Sequence, residues 1–131
     1  MNLLLDTHIA LWAIIDDPRL PVDARTLIAD LENDIFVSAA SVWEIAVKHG
    51  LAGRKRAAMP VSGSDALAFF RRAGYRLLPM TADHAAAVET LPQIHADPFD
   101  RMIVAQALVE PLRLITCDRT VAAYSDTILR V

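Results

Sequence analysis

Short, uniformly apolar runs alternate with helical patterns along the whole chain, and that alternation restricts the fold more than any other feature. Residues 2–6, 35–38, 75–78, 113–116 and 128–131 read as strands. Helical patterns occupy 8–15, 22–32, 41–49, 64–72, 82–90 and 99–110. Punctuation falls between them. A turn forms around Asp16-Asp17-Pro18 and Pro21, Gly50, Gly53 and Pro60 make 50–60 loop-like, Gly74 stops a helix, and Thr81 can cap the next one. Runs such as Leu3-Leu4-Leu5 carry no polar alternation, so both faces of the strand are expected to be buried. Strands that alternate with helices and are covered on both faces define an α/β fold with a mostly parallel central sheet.

The chain has 131 residues, enough for one domain over 1–131 and no second. An apolar fraction of 54% argues against disorder and leaves surplus apolar surface for a partner. Cys117 is the single cysteine, so an intrachain disulfide is impossible and a reducing, cytoplasmic setting is expected. The start Met1-Asn2-Leu3-Leu4-Leu5-Asp6 has no basic leader, and Asp6 cuts the apolar run short; neither a signal peptide nor a membrane span is expected.

Four acids stand at the edges of the elements rather than on solvated faces. Asp6 ends the first apolar run, Glu44 lies in Ser41-Val42-Trp43-Glu44, Asp100 in Asp97-Pro98-Phe99-Asp100-Arg101, and Asp118 follows Leu112–Cys117. In a parallel sheet the carboxyl ends of strands and the starts of helices meet at one crevice. Each acid also has a local explanation. Ser41-x-x-Glu44 is a capping box, Glu44 and Lys48 are four apart on a helix, Asp97-Pro98 is an N-cap with Pro at the first helical position, and Asp6 and Asp118 can end strands in turns. Asp100 resists that treatment. Residues three, four and seven beyond it are Ile103, Val104 and Ala107, an apolar stripe facing the core, where an unpaired carboxylate is costly. Four carboxylates in one crevice call for a cation, and oxygen ligands suit Mg²⁺ or Mn²⁺. No zinc set is evident, since Cys117 stands alone and the four histidines are scattered. The natural chemistry of such a site is phosphodiester hydrolysis.

A formal charge of −3 at first speaks against a polyanionic partner. With the four candidate acids neutralised by metal, thirteen basic residues face sixteen acids less these four, and the sign reverses. The basic residues cluster, Lys48 with Arg54, Lys55 and Arg56, then Arg71, Arg72 and Arg76. Arg54, Lys55 and Arg56 are the expected contacts to a nucleic-acid backbone.

At these residues the chain resembles the PIN-domain ribonucleases, and within them the VapC toxins of bacterial toxin–antitoxin pairs. The resemblance runs over nearly the whole length. It rests on Leu4-Leu5-Asp6-Thr7-His8 with Leu11-Trp12, on Ser38-Ala39-Ala40-Ser41-Val42-Trp43-Glu44-Ile45, on His95-Ala96-Asp97-Pro98-Phe99-Asp100-Arg101 with Ala105-Gln106-Ala107, and on Thr116-Cys117-Asp118. The family's acidic positions fall on Asp6, Glu44, Asp100 and Asp118, with Asp97 a fifth acid nearby and Thr116 a supporting hydroxyl. The resemblance implies a PIN-like three-layer α/β/α sandwich and an endoribonuclease dependent on Mg²⁺ or Mn²⁺. It further implies RNA as substrate, a homodimer, and a small VapB-type antitoxin as inhibitor. His8, Trp12 and His95 read as core or helix-end packing, and Cys117 as a small buried residue.

The competing reading is a receiver-like or other Mg²⁺-binding α/β interaction domain without nuclease activity. A receiver needs paired acids after the first strand and a Lys after the last core strand, whereas this chain has Asp6 alone and lysines only at 48 and 55. A haloacid-dehalogenase-like phosphatase needs Asp-x-Asp where Asp6-Thr7-His8 stands, and no glycine-rich phosphate loop occurs.

Overall fold

The computed structural model describes residues 1–51 and 59–131. Arg54, Lys55 and Arg56 lie outside the described residues. In chain order the elements are β1 (Asn2–Leu5), α1 (Thr7–Ile14), α2 (Val22–Ala29), β2 (Asp34–Ser38), α3 (Ala39–Leu51), α4 (Gly63–Arg72), β3 (Arg76–Leu78), α5 (Ala82–Ala87) with a 3-10 turn at Val88–Thr90, α6 (Pro98–Val109), β4 (Arg113–Thr116), α7 (Arg119–Ala122) and β5 (Leu129–Arg130). The strands form one sheet in the order β3-β2-β1-β4-β5, and every pair is parallel. No described helix is long and apolar enough to cross a membrane.

The uniformly apolar strands have the predicted cause. Leu3 and Leu5 of β1 join one core cluster with Ile9, Leu11, Val37, Ile45 and Phe70. Leu4, between them, joins a second cluster with Ile103, Val104, Leu114 and Val121. Alternate side chains of one strand thus enter cores on opposite faces of the sheet, and helices close both, giving three layers.

Chain order reverses beside β1, whose neighbours are β2 on one side and β4 on the other. Leu5 stands in register with both Val37 and Ile115, so the three strands end level. A crevice opens beyond those ends, and Asp6, Glu44 of α3 and Asp118 all border it.

Most element boundaries shift by a residue or two, and three departures from expectation have a local reason. The Ser41–Glu44 capping box does not form. Helix α3 starts earlier, at Ala39, with Ser38 Oγ accepting from the Ala40 N–H at 2.9 Å. Ser41 is buried within the helix and its hydroxyl pairs with Thr7 Oγ1 at 2.9 Å. Helix α2 ends at Ala29, because Asp30 turns extended and its side chain accepts from the Glu32 N–H. Helix α7 has no counterpart in the sequence pattern. It has only four residues, too few to show a period, and Asp118 caps it rather than closing a strand turn.

Candidate active site

Asp6, Glu44, Asp100 and Asp118 line one cavity of about 350 Å³, together with Asp97, Lys48, His8, Trp12 and Cys117. A larger groove of about 650 Å³ lies between α3 and α4, but it is apolar and none of these acids borders it. Chemistry, not size, singles out the acidic cavity.

Asp6 is the most constrained of the four. It is buried, its Oδ1 accepts from the Thr7 N–H at 2.8 Å, and its Oδ2 accepts from Thr116 Oγ1 at 2.6 Å. Burial pushes its carboxyl above the ordinary range, against the opposing pull of the bonds from Thr116 and Thr7. Thr116 Oγ1 also accepts from the Asp118 N–H at 3.0 Å. One hydroxyl on β4 therefore fixes an acid of β1 and the backbone of a second acid.

Glu44 is 2% exposed. Its Oε2 accepts from Lys48 Nζ at 2.5 Å, the pairing expected of residues four apart. Its Oε1 is buried and, among the described residues, is the one buried side-chain polar atom without a hydrogen-bond partner. Burial pulls the Lys48 ammonium down, but Glu44, then Asp97 and Asp100, outweigh it and raise it above its usual value.

Asp97 and Asp100 come from the start of α6. Asp97 is the N-cap, its Oδ1 accepting from the Phe99 N–H at 2.8 Å and the Asp100 N–H at 3.2 Å, with Pro98 following. Ile103, Val104 and Ala107 are buried as the stripe predicts, so Asp100 projects from a core-facing side of the helix with its side chain 16% exposed. Its carboxyl is pushed up to about 7, first by burial, then by the charges of Asp6, Asp97, Glu44 and Asp118. Asp118 divides its oxygens. Oδ1 caps α7 through the N–H groups of Thr120 at 2.7 Å and Val121 at 3.4 Å, while Oδ2 lies 3.8 Å from His95 Nε2.

His95 is the site residue that sequence reasoning missed. Its Nε2 stands 3.0 Å from Asp100 Oδ2, so it is not a packing residue. The available signal was its place two residues before Asp97, on the segment that enters α6. His8 is exposed, with its ring 5.7 Å from that of Trp12, and Arg19 lies over the Trp12 ring. Cys117 is half-buried rather than buried; burial and then the charge of Asp6 push its thiol up, which makes it a poor nucleophile.

The residues present fit a divalent cation. Glu44 Oε1 is an orphaned buried carboxylate oxygen, a costly feature unless a cation compensates it. One ligand atom each from His95, Asp100 and Asp118 lie within 4.8 Å of one another. The donors are mainly carboxylate oxygens, the set that hard cations prefer.

A parallel sheet with helices on both faces and a carboxylate cavity at its switch point is the PIN architecture; residues 3–126 match the PIN domain, and the chain belongs to that family. Among curated proteins it is 30% identical over 126 residues to Ribonuclease VapC22 of Mycobacterium tuberculosis (strain ATCC 25618 / H37Rv), an alignment covering 94% of this chain and 92% of that protein. That match places it, within the family, with the VapC ribonucleases. Among solved structures, the fold resembles VapBC2 from Rickettsia felis bound to a promoter DNA fragment, with TM-score 0.70 and 18% identity over 99% of this chain and 98% of the other. It also resembles FitAcB from Neisseria gonorrhoeae, with TM-score 0.63 and 20% identity over 98% and 96% of the two chains.

Proposed function

We propose that this protein is a Mg²⁺- or Mn²⁺-dependent endoribonuclease that hydrolyses RNA phosphodiester bonds, the toxin of a VapBC-type pair, with Asp6, Glu44, Asp100 and Asp118 as its catalytic and metal-holding residues. The observation that carries the reading is the meeting of all four acids in one cavity, one of them, Glu44, with a buried and unpartnered carboxylate oxygen. When bound there, a divalent ion would orient the phosphodiester, acidify a water and stabilise the leaving oxygen. The protein's own contribution is preorganisation. Thr116 locks Asp6, α7 locks Asp118, and Asp97 fixes the start of the helix that presents Asp100. Lys48 offsets part of the negative charge through Glu44. A carboxylate oxygen that does not hold the ion would accept the proton of the attacking water.

The test is incubation of the purified chain with total RNA. Cleavage is expected with Mg²⁺ or Mn²⁺, and it is lost on chelation and in Asp6→Asn. Cleavage that survives both treatments would rule out this assignment.

Arg54, Lys55 and Arg56 are proposed to hold the RNA backbone, motivated by their charge and their place after the Glu44 helix. Replacing all three by Ala should lower the salt dependence of RNA binding by roughly 0.7 in log–log slope for each phosphate no longer neutralised, with sequence preference unchanged. An unchanged slope would identify them as solvated surface charge.

Two protein partners belong to the same proposal, a second copy of this chain and a small VapB-type antitoxin. The relatives with similar folds include toxin–antitoxin complexes. The apolar groove between α3 and α4, with Trp43 52% exposed at its edge, offers the surface. An antitoxin Arg inserted among the acids would pair two carboxylates and exclude the cation. Light scattering should show a dimer, and the small product of the adjacent gene should co-purify and suppress cleavage. A strict monomer whose cleavage that product leaves unaffected would exclude both partners.

A further inference from the structure

We propose that Trp12, together with the adjoining His8 and Arg19, is the base-stacking residue of the RNA site and takes an unpaired nucleobase beside the phosphate held at the acids. The inference deepens the nuclease reading above and rests on it. Trp12 is the one large apolar side chain among the described residues that line the acidic cavity; the others are the five acids, Lys48, His8 and Cys117. His8 and Trp12 stand four apart on α1, so they share a face, and their ring centroids are 5.7 Å apart at 45°. Asp6 caps the same helix. About 9 Å of helix rise separates that first acid from the indole, a distance that the sugar and base of one nucleotide cover. Core packing alone does not account for the indole. Ile9, Ala10 and Leu11 are buried and carry the contact of α1 with the core. Trp12 packs against that core with part of its ring and stays half-buried, while His8 is exposed.

The chemistry of these three side chains fits a base better than a second phosphate. The Arg19 guanidinium lies over the indole, 5.3 Å from the ring centroid. Its Nε donates to Asp17 Oδ1 at 3.1 Å and its Nη2 to Asp17 Oδ2 at 2.8 Å, while the Arg19 backbone N–H donates to Oδ1 at 2.8 Å. That fork matches the charge of Arg19 and holds its plane against the indole before RNA arrives. Little net charge remains here to draw a phosphate. Imidazole, indole and guanidinium planes are the surfaces on which unstacked RNA bases lie. A base inside a duplex has both faces covered and has nothing to offer them. Stacking also tolerates every base, since each has a π-face. Trp12 therefore selects an unpaired nucleotide next to the cleaved bond, and leaves sequence to other contacts.

The experiment uses the full chain, with Ca²⁺ as the ion so that the probe is not consumed. The probes are a short end-labelled oligouridylate and the abasic ribose–phosphate chain of the same length. In Trp43→Phe, which leaves Trp12 as the only tryptophan, the oligouridylate should quench indole fluorescence and the abasic chain should not. By anisotropy, the oligouridylate should bind about 5- to 150-fold tighter than the abasic chain. Trp12→Leu keeps apolar bulk against the core; it should lose most of that preference, keep the abasic affinity and keep the salt slope. Trp12→Phe should recover part of the preference. A merely structural tryptophan would weaken both probes alike, and that result would overturn the proposal. So would binding of the oligouridylate without quenching, failure of either probe to bind, or quenching only by the small product of the adjacent gene. Quenching and base preference without any Mg²⁺- or Mn²⁺-dependent cleavage would support the stacking role and sink the nuclease reading. Cleavage by a Trp12→Leu protein with its base preference intact would do the reverse.

Discussion

Asp100→Asn is expected to lower RNA cleavage by 10²-fold or more while making the metal-free protein more stable above neutral pH. The first half follows from removing one carboxylate of a preorganised charge-stabilising set, an effect of about 10²–10³-fold in comparable sites. The second follows from the Asp100 carboxyl, which burial and then the neighbouring Asp6, Asp97, Glu44 and Asp118 push up to about 7. An unfolded Asp titrates near ~3.9, so folding takes up a proton here between those two values. The folded state is therefore favoured by this group at pH 4, and that advantage disappears as pH rises through about 7. A shift of roughly three units corresponds to at most ~4 kcal/mol, shared among acids that titrate together. Asn carries no such dependence. In chelator, urea midpoints of variant and wild type should coincide near pH 4 and diverge by pH 8, with the variant higher. Saturating Mg²⁺ should reverse the order, since the ion stabilises only the chain that binds it. A variant that is less stable in chelator at pH 8 would mean that Asp100 is chiefly a structural first-turn acid.

Phe70→Ala should produce the largest loss of stability, about 3–5 kcal/mol, with metal affinity unchanged. Phe70 lies on α4, is 0% exposed, and packs in the cluster formed with Leu3, Leu5, Ile45 and Ala66. Its ring stacks on Tyr75 at 6.1 Å between centroids. Truncation leaves a cavity in that cluster that its close-packed neighbours cannot collapse to fill. The acidic cavity is bordered by other residues, so the surviving folded fraction should bind Mn²⁺ as wild type does. Calorimetric melting and Mn²⁺ titration of the same sample separate the two effects. A melting temperature within about 3 °C of wild type would show that this core relaxes freely.

The sheet and its helices were legible because apolar runs alternate with helical patterns and the central strand is apolar on both faces. Leu3-Leu4-Leu5 needs two cores, and two cores are what it enters. The place of Asp100 was legible for a related reason, since its helical neighbours Ile103, Val104 and Ala107 fix the direction it faces. What periodicity does not encode was missed. Helix α7 is shorter than one period, so Asp118 read as a turn residue although it is an N-cap. Ser41 matched a capping-box pattern, yet the backbone had begun its helix two residues earlier and the hydroxyl went to Thr7 instead. His95 lies on an irregular segment whose course depends on Arg101 and Tyr124, and sequence spacing cannot reveal those bonds.

The proposed catalysis requires that Asp6, Glu44, Asp100 and Asp118 hold one cation site. The most direct measurement is an anomalous difference map from crystals grown or soaked with Mn²⁺, collected at the manganese edge. A peak is expected in the cavity these four acids line, at about 2.1–2.3 Å from carboxylate oxygens and absent in Asp100→Asn crystals. A cavity without a peak at saturating Mn²⁺, or a peak coordinated by other residues, would contradict the assignment.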